Sequence, residues 1–266
     1  MLNNSEQRLA VLIDGDNAQA TQIESIMKEI VKFGVVTIRR IYGDWTTPHL
    51  DSWKKKLPIH AIQPIQQFRN TVGKNATDSA MIIDAMDILY SNNVGGFVIV
   101  SSDSDYTKLV IRLREAGMEA IGIGKNHTPK SFVNACNEFR YVENIMKSYE
   151  SGNNRRPTRK RDSDLSETIE NNGKAGADKE IIESTEDTDL VAIVTEAHEM
   201  ADQESAWVDL RKIANNLKKV DPAFDPRTYG SSKLAKIIAA RNNAFEVKRD
   251  RLRQRIMVRV KNQGDQ

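Results

Sequence analysis

The chain has 266 residues, enough for one domain of ordinary size and a second small one, each with its own core. Its single cysteine, Cys136, excludes an internal disulfide framework and a cysteine-rich zinc site. No run approaches the roughly 18 to 20 apolar residues needed to span a bilayer, and the polar lead-in Met1 to Gln7 lacks a signal-peptide core, so no membrane partner and a cytoplasmic setting are expected. The net charge of +2 conceals segregation: residues 1–148 hold 17 basic and 16 acidic side chains, whereas 205–261 hold 15 and 5. A basic surplus of that kind attracts a polyanion through counterion release.

Residues 9–145 read as repeated strand-then-helix units, the pattern of a parallel α/β sheet. Leu9 to Ile13 is a short apolar run ending at Asp14, followed by Ile23, Ile26, Met27, Ile30 and Val31 at helical spacing up to Gly34. Val35 to Tyr42 is the next predicted strand. Pro48 opens a short helix with Leu50, Trp53 and Leu57, and Ile59 to Ile62 is the expected third strand, with polar loop from Pro64 to Asn75. Thr77 caps a helix over Asp78 to Tyr90, after which the strand Phe97 to Val100 stops at Ser101-Ser102-Asp103-Ser104-Asp105. A helix with Leu109, Val110 and Leu113, a strand from Met118 to Ile123, a helix from Pro129 to Cys136 and a short edge strand at Arg140 to Val142 complete the unit.

From about Tyr149 to Asp187 apolar periodicity vanishes, and a basic cluster from Arg155 to Arg161 precedes nine acids and two lysines. That composition predicts a flexible tether. Leu190 to Met200, Val208 to Leu217 and Ser232 to Ala240 then read as helices, and Phe245 to Val247 with Ile256 to Val260 as a hairpin, together a winged-helix module. Lys233, Lys236 and Arg241 lie on or just after the last helix, whose Leu234, Ile237 and Ile238 face the core. Arg249, Arg251, Arg253 and Arg255 fall in the wing, where long cations can straddle a phosphate backbone. Trp207, Phe224, Tyr229 and Phe245 are expected mostly in the core.

In a parallel sheet, functional groups gather beyond the carboxyl ends of the strands, where Asp14 and Asp103 both sit. If the first and fourth strands flank the topological switch point, these two become neighbours, with Asp16 and Asp105 close behind and Asp78 on the first turn of its helix at the same end. Each motif alone is compatible with an ordinary turn or helix cap; their convergence points to a site. Two carboxylates about 4 Å apart repel by about 1 kcal/mol in water and about 4 kcal/mol at an effective dielectric near 20, which a divalent cation offsets. An all-oxygen donor set favours Mg²⁺ or Mn²⁺, and the implied reaction is phosphodiester hydrolysis. Asp84 and Asp87, further along the helix, are left outside the site.

Val11-Leu12-Ile13-Asp14-Gly15-Asp16-Asn17, Lys74-Asn75-Ala76-Thr77-Asp78 and Ser101-Ser102-Asp103-Ser104-Asp105-Tyr106 resemble the NYN domain of the PIN-like nucleases over roughly residues 8–145. The resemblance implies a Rossmann-like parallel sheet flanked by helices and a metal-dependent ribonuclease. By the same resemblance, Asp14, Asp78, Asp103 and Asp105 are expected to be its catalytic and ion-holding residues, with Asn17 and Ser101 bracing the site and Asp16 in a supporting role. Lys74 is a candidate phosphate contact. Phe224-Asp225-Pro226-Arg227-Thr228-Tyr229-Gly230-Ser231-Ser232-Lys233-Leu234, with Ile237-Ile238, is similar to the OST-HTH or LOTUS module, which implies RNA binding or, in some members, docking onto a helicase or other RNA-processing protein.

The expected organisation is a nuclease domain over 8–148, a charged linker over 149–187 and an RNA-binding module over 188–262, with RNA as partner and a homodimer left open. Two other functions stay in view: a non-catalytic RNA-binding adaptor that retains the acidic site, and a phosphatase, since Asp14-Gly15-Asp16 also resembles the start of haloacid-dehalogenase-like enzymes. Ala18 and Asp78 speak against the phosphatase.

Overall fold

The computed structural model describes residues 7–68, 76–91, 93–153, 185–201, 206–250 and 254–261. Within them β1 (Arg8–Asp14), β2 (Val35–Gly43), β3 (Gln63–Gln66), β4 (Gly96–Val100), β5 (Glu119–Gly124) and β6 (Glu138–Tyr141) form one sheet in the order β3-β2-β1-β4-β5-β6, with every pairing parallel. The strand order reverses between β1 and β4, so the switch point lies between Asp14 and the loop after Val100.

Both faces of the sheet are covered, which is why β1 reads as a continuous apolar run rather than an alternation. Leu9, Val11 and Ile13 pack with Ile23, Ile26 and Ile30 of α1 (Ile23–Ile30) and with Val142 and Ile145 of α7 (Val142–Asn153). Ala10 and Leu12 point the other way, toward Met81 and Ala85 of α4 (Ala76–Ser91), Leu109 and Leu113 of α5 (Thr107–Glu115), and Phe132 of α6 (Lys130–Ala135).

The third strand corrects the sequence expectation. Asp51–Lys54 and Leu57–His60 form the short helices α2 and α3, Ala61 ends the latter in the left-handed region at φ 49°, and the strand follows at Gln63–Gln66. Trp53, Leu57 and Ile62 all pack into the same core, and periodicity cannot distinguish so short an apolar run from a strand. The edge strand also lies earlier than expected and leads directly into α7, whose Ile145 joins the core.

The C-terminal module comprises α8 (Thr185–Glu199), β7 (Val208–Asp209), α9 (Leu210–Val220), α10 (Leu234–Ala239), β8 (Phe245–Asp250) and β9 (Arg255–Val260), with an antiparallel sheet in the order β7-β9-β8. Val208 and Asp209, expected at the start of a helix, instead pair with Val258 and Met257, and Asp209 caps α9 by accepting the Arg211 N–H. Val194, Ile213, Leu217, Phe224, Ile238, Phe245 and Val258 form its core. The stretch expected as linker begins and ends in α7 and α8; its centre, 154–184, lies outside the described residues.

The module sits against the β6 edge. The Phe139 N–H donates to Pro222 O at 2.7 Å, Arg140 donates to Phe224 O at 3.3 Å and Asn144 to Thr228 Oγ1 at 2.8 Å. Lys218 pairs with Glu138 at 2.9 Å, and Arg227 with Glu29 at the same distance. The Phe139 N–H, which an open edge would leave to solvent or to another chain, is thus satisfied internally.

Candidate active site at the carboxyl ends of the strands

Gly15 makes the turn after β1 feasible. Its N–H donates to Tyr42 O at 2.9 Å, and a Cβ there would stand 2.7 Å from that oxygen, so any larger residue would push the turn off β2. The turn wraps Asp14, which is 1% exposed. Its Oδ1 accepts the N–H groups of Asp16 and Asn17 at 3.1 and 3.3 Å, and its Oδ2 accepts Asn17 Nδ2 at 2.6 Å and Ser101 Oγ at 2.9 Å. A carboxylate has about four acceptor positions, and all four are used here. Burial pushes the Asp14 carboxyl above its usual range, with the bonds from Asn17 and Ser101 opposing.

Ser101 joins the two central strands. While donating to Asp14, its hydroxyl accepts the Asp103 N–H at 3.0 Å, fixing the start of the loop after β4. Asp103 in turn accepts the Asp105 N–H at 2.9 Å and caps the single 3₁₀ turn Ser104–Tyr106. From the other side, Asp78 on the first turn of α4 accepts the Tyr106 hydroxyl at 2.7 Å. One oxygen from each of Asp78, Asp103 and Asp105 lies within 4.8 Å of the other two. Burial raises the Asp78 carboxyl; the Tyr106 bond opposes this, and the charges of Asp14, Asp103 and Asp105 add to it.

This donor set suits a hard divalent cation. It is all oxygen, the donor type that Mg²⁺ and Mn²⁺ take in preference to nitrogen or sulfur. Cys136 is buried in the core, and desolvation pushes its thiol up to about 12.

Of the residues singled out in the sequence, the structure groups Asp78, Asp103 and Asp105 most tightly, with Asp14, Asn17 and Ser101 in one hydrogen-bonded frame beside them. Asp16 contributes its N–H to that frame. Lys74, Arg251 and Arg253 lie outside the described residues. Lys233, just before α10, and Lys236 on it are exposed, whereas Arg241 folds back to donate to Ile237 O at 2.8 Å. Arg249 and Arg255 lie on β8 and β9 rather than in the turn; Arg249 donates to Gln254 at 3.3 Å and Arg255 pairs with Asp209 at 3.5 Å.

Sequence reasoning missed Tyr106, which was treated only as part of a motif. It also dismissed Asp84, which is half-buried and accepts bonds from Arg40 and the Tyr42 hydroxyl. On the wing, Lys248 lies 3.7 Å and Arg259 5.5 Å from the centre of the Trp207 ring, a cation–π arrangement that charge counting could not reveal.

A doubly wound parallel sheet with clustered carboxylates at its switch point defines an α/β protein with an acidic crest site. The chain belongs to the NYN domain family, whose model matches residues 8–143, and NYN domains are part of the PIN-like nuclease superfamily. The OST-HTH/LOTUS domain model matches residues 182–257. An uncharacterized protein of Methanocaldococcus jannaschii is 26% identical over 123 residues, 45% of this chain and 48% of that protein, so the chain spans about half the length of this curated relative. A protein of unknown function from Vibrio parahaemolyticus superposes with a TM-score of 0.44 at 17% identity, over 52% of this chain and 94% of that one. An uncharacterized protein from Nitrosomonas europaea gives 0.27 at 20%, over 42% and 96%.

Proposed function

We propose that this protein is a metal-dependent ribonuclease that hydrolyses RNA phosphodiester bonds, its C-terminal module binding RNA. The observation that carries this reading is the approach of Asp78, Asp103 and Asp105 to within 4.8 Å at the crest of an NYN-family sheet. These three would hold Mg²⁺ or Mn²⁺, which when bound neutralises phosphate charge and lowers the pKa of a coordinated water. Asp14, Asn17 and Ser101 tie the two central strand ends together and brace the start of the loop that carries Asp103 and Asp105, while Asp78 projects from α4. Without a cation the cluster repels a phosphodiester, which makes activity dependent on added metal.

The test is cleavage of single-stranded and structured RNA by the full chain with Mg²⁺ or Mn²⁺, beside a chelator control and Asp103→Asn. Cleavage that requires metal and disappears in the variant is expected; equal cleavage by wild type and variant would remove the hypothesis. For the module, the exposed Lys233, Lys236 and Arg249 imply RNA affinity that falls steeply with salt. A flat salt response would instead indicate a protein partner.

A further inference from the structure

Tyr106 is fully buried in the core on the α4 side of the sheet, among Met81, Leu109 and Phe132. Phenylalanine would fill that space without bringing a polar atom into it. The hydroxyl instead ends at the acidic crest, 2.7 Å from Asp78 Oδ1, a normal O–H···O hydrogen-bond length. It is also the neighbour of Asp105 in the chain, at the end of the 3₁₀ turn that Asp103 caps. The residue therefore ties the helix-borne acid to the loop that carries the other two. A carboxylate with one oxygen held by a buried donor keeps its plane fixed and its second oxygen free to serve an ion, the arrangement by which residues behind a metal site orient its ligands.

We propose that Tyr106 is a positioning residue whose hydroxyl sets the Asp78 carboxylate in its ion-binding orientation; this rests on the metal-site reading given above. Tyr106→Phe removes that oxygen and keeps the ring, so packing is preserved.

Mn²⁺ affinity of the full chain is measured by calorimetry for wild type, Tyr106→Phe, Asp78→Asn and the double variant, and RNA cleavage is followed across a Mn²⁺ titration. The Phe variant should bind Mn²⁺ about 10-fold more weakly. Its cleavage should fall at low Mn²⁺ and recover at saturating Mn²⁺, and the substitution should add no further loss in the Asp78→Asn background. Wild-type and Phe proteins that bind Mn²⁺ equally would overturn the proposal alone, as would an equal loss on top of Asp78→Asn. A wild type that binds no Mn²⁺ would overturn the metal site and this proposal together.

Discussion

Arg227 of the C-terminal module reaches Glu29 of α1 with both terminal nitrogens, Nη2 to Oε1 at 2.9 Å and Nη1 to Oε2 at 3.3 Å. The same guanidinium holds Asp225, two residues earlier, at 2.6 Å, and all three side chains are largely buried. Removing one member of such a group leaves uncompensated charge. Arg227→Ala should therefore destabilise the chain by about 3 kcal/mol. Loss of docking should also separate a single thermal transition into two, as calorimetry would record.

The same group makes the docking acid-sensitive. For Glu29, burial alone would raise the carboxyl, but bonds from Lys32 and Arg227 outweigh it and the net displacement is downward from 4.5. Asp225 follows the same pattern, with burial outweighed by Arg227, downward from 3.8. Groups depressed in the folded state contribute stability that is present above their unfolded values and is lost as pH falls through the folded ones. Docking should hold at neutral pH and weaken below about pH 4. Small-angle scattering across that range should show the chain expanding, and Arg227→Ala should already be expanded at pH 7.

Asp84 offers a contrast within α4. It accepts bonds from Arg40 and from the hydroxyl of the fully buried Tyr42, so Asp84→Ala leaves the buried Tyr42 hydroxyl and the half-buried Arg40 guanidinium without their partner. A loss of about 2 kcal/mol is expected in denaturant melts. Mn²⁺ affinity should be unchanged, because Asp84 is not among the three clustered acids.

The legible parts of this molecule were those governed by local rules. The apolar runs of β1 and β4 and the turn chemistry after each placed Asp14 and Asp103 at strand ends, while the adjacency of those strands, a condition in the sequence, is supplied by the pairing of β1 with β4. What could not be read were contacts between segments whose separation no periodicity encodes. Asp78 and Tyr106 meet because α4 and the loop after β4 start at one end of the sheet. Trp207 meets Lys248 through the antiparallel pairing of the wing. Arg227 looked like part of a family signature, and only the docked module reveals Glu29 as its partner. Ile59 to Ile62 misled for a local reason: two β-branched residues in a four-residue segment fit a helix turn and a strand equally well.

Asp14 and Asp103 look equivalent in the sequence but should respond differently to the same substitution. Asp14 accepts four donors, and Asn17 Nδ2 and Ser101 Oγ both point at its Oδ2. An asparagine there must turn an amide toward at least one of those donors, so Asp14→Asn should lose about 1 to 3 kcal/mol of stability as well as cleavage. Among the described residues Asp103 accepts the Asp105 N–H in its capping role, a task asparagine performs as well. Its charge also adds to the cluster that Asp78 feels, so neutralising it relieves repulsion. Asp103→Asn should therefore retain wild-type stability or exceed it slightly while metal-dependent cleavage falls by about 100-fold or more. Thermal melts and RNA cleavage measured on both variants check this directly. Equal loss of stability in the two would mean that Asp103 belongs to the frame rather than to the chemistry.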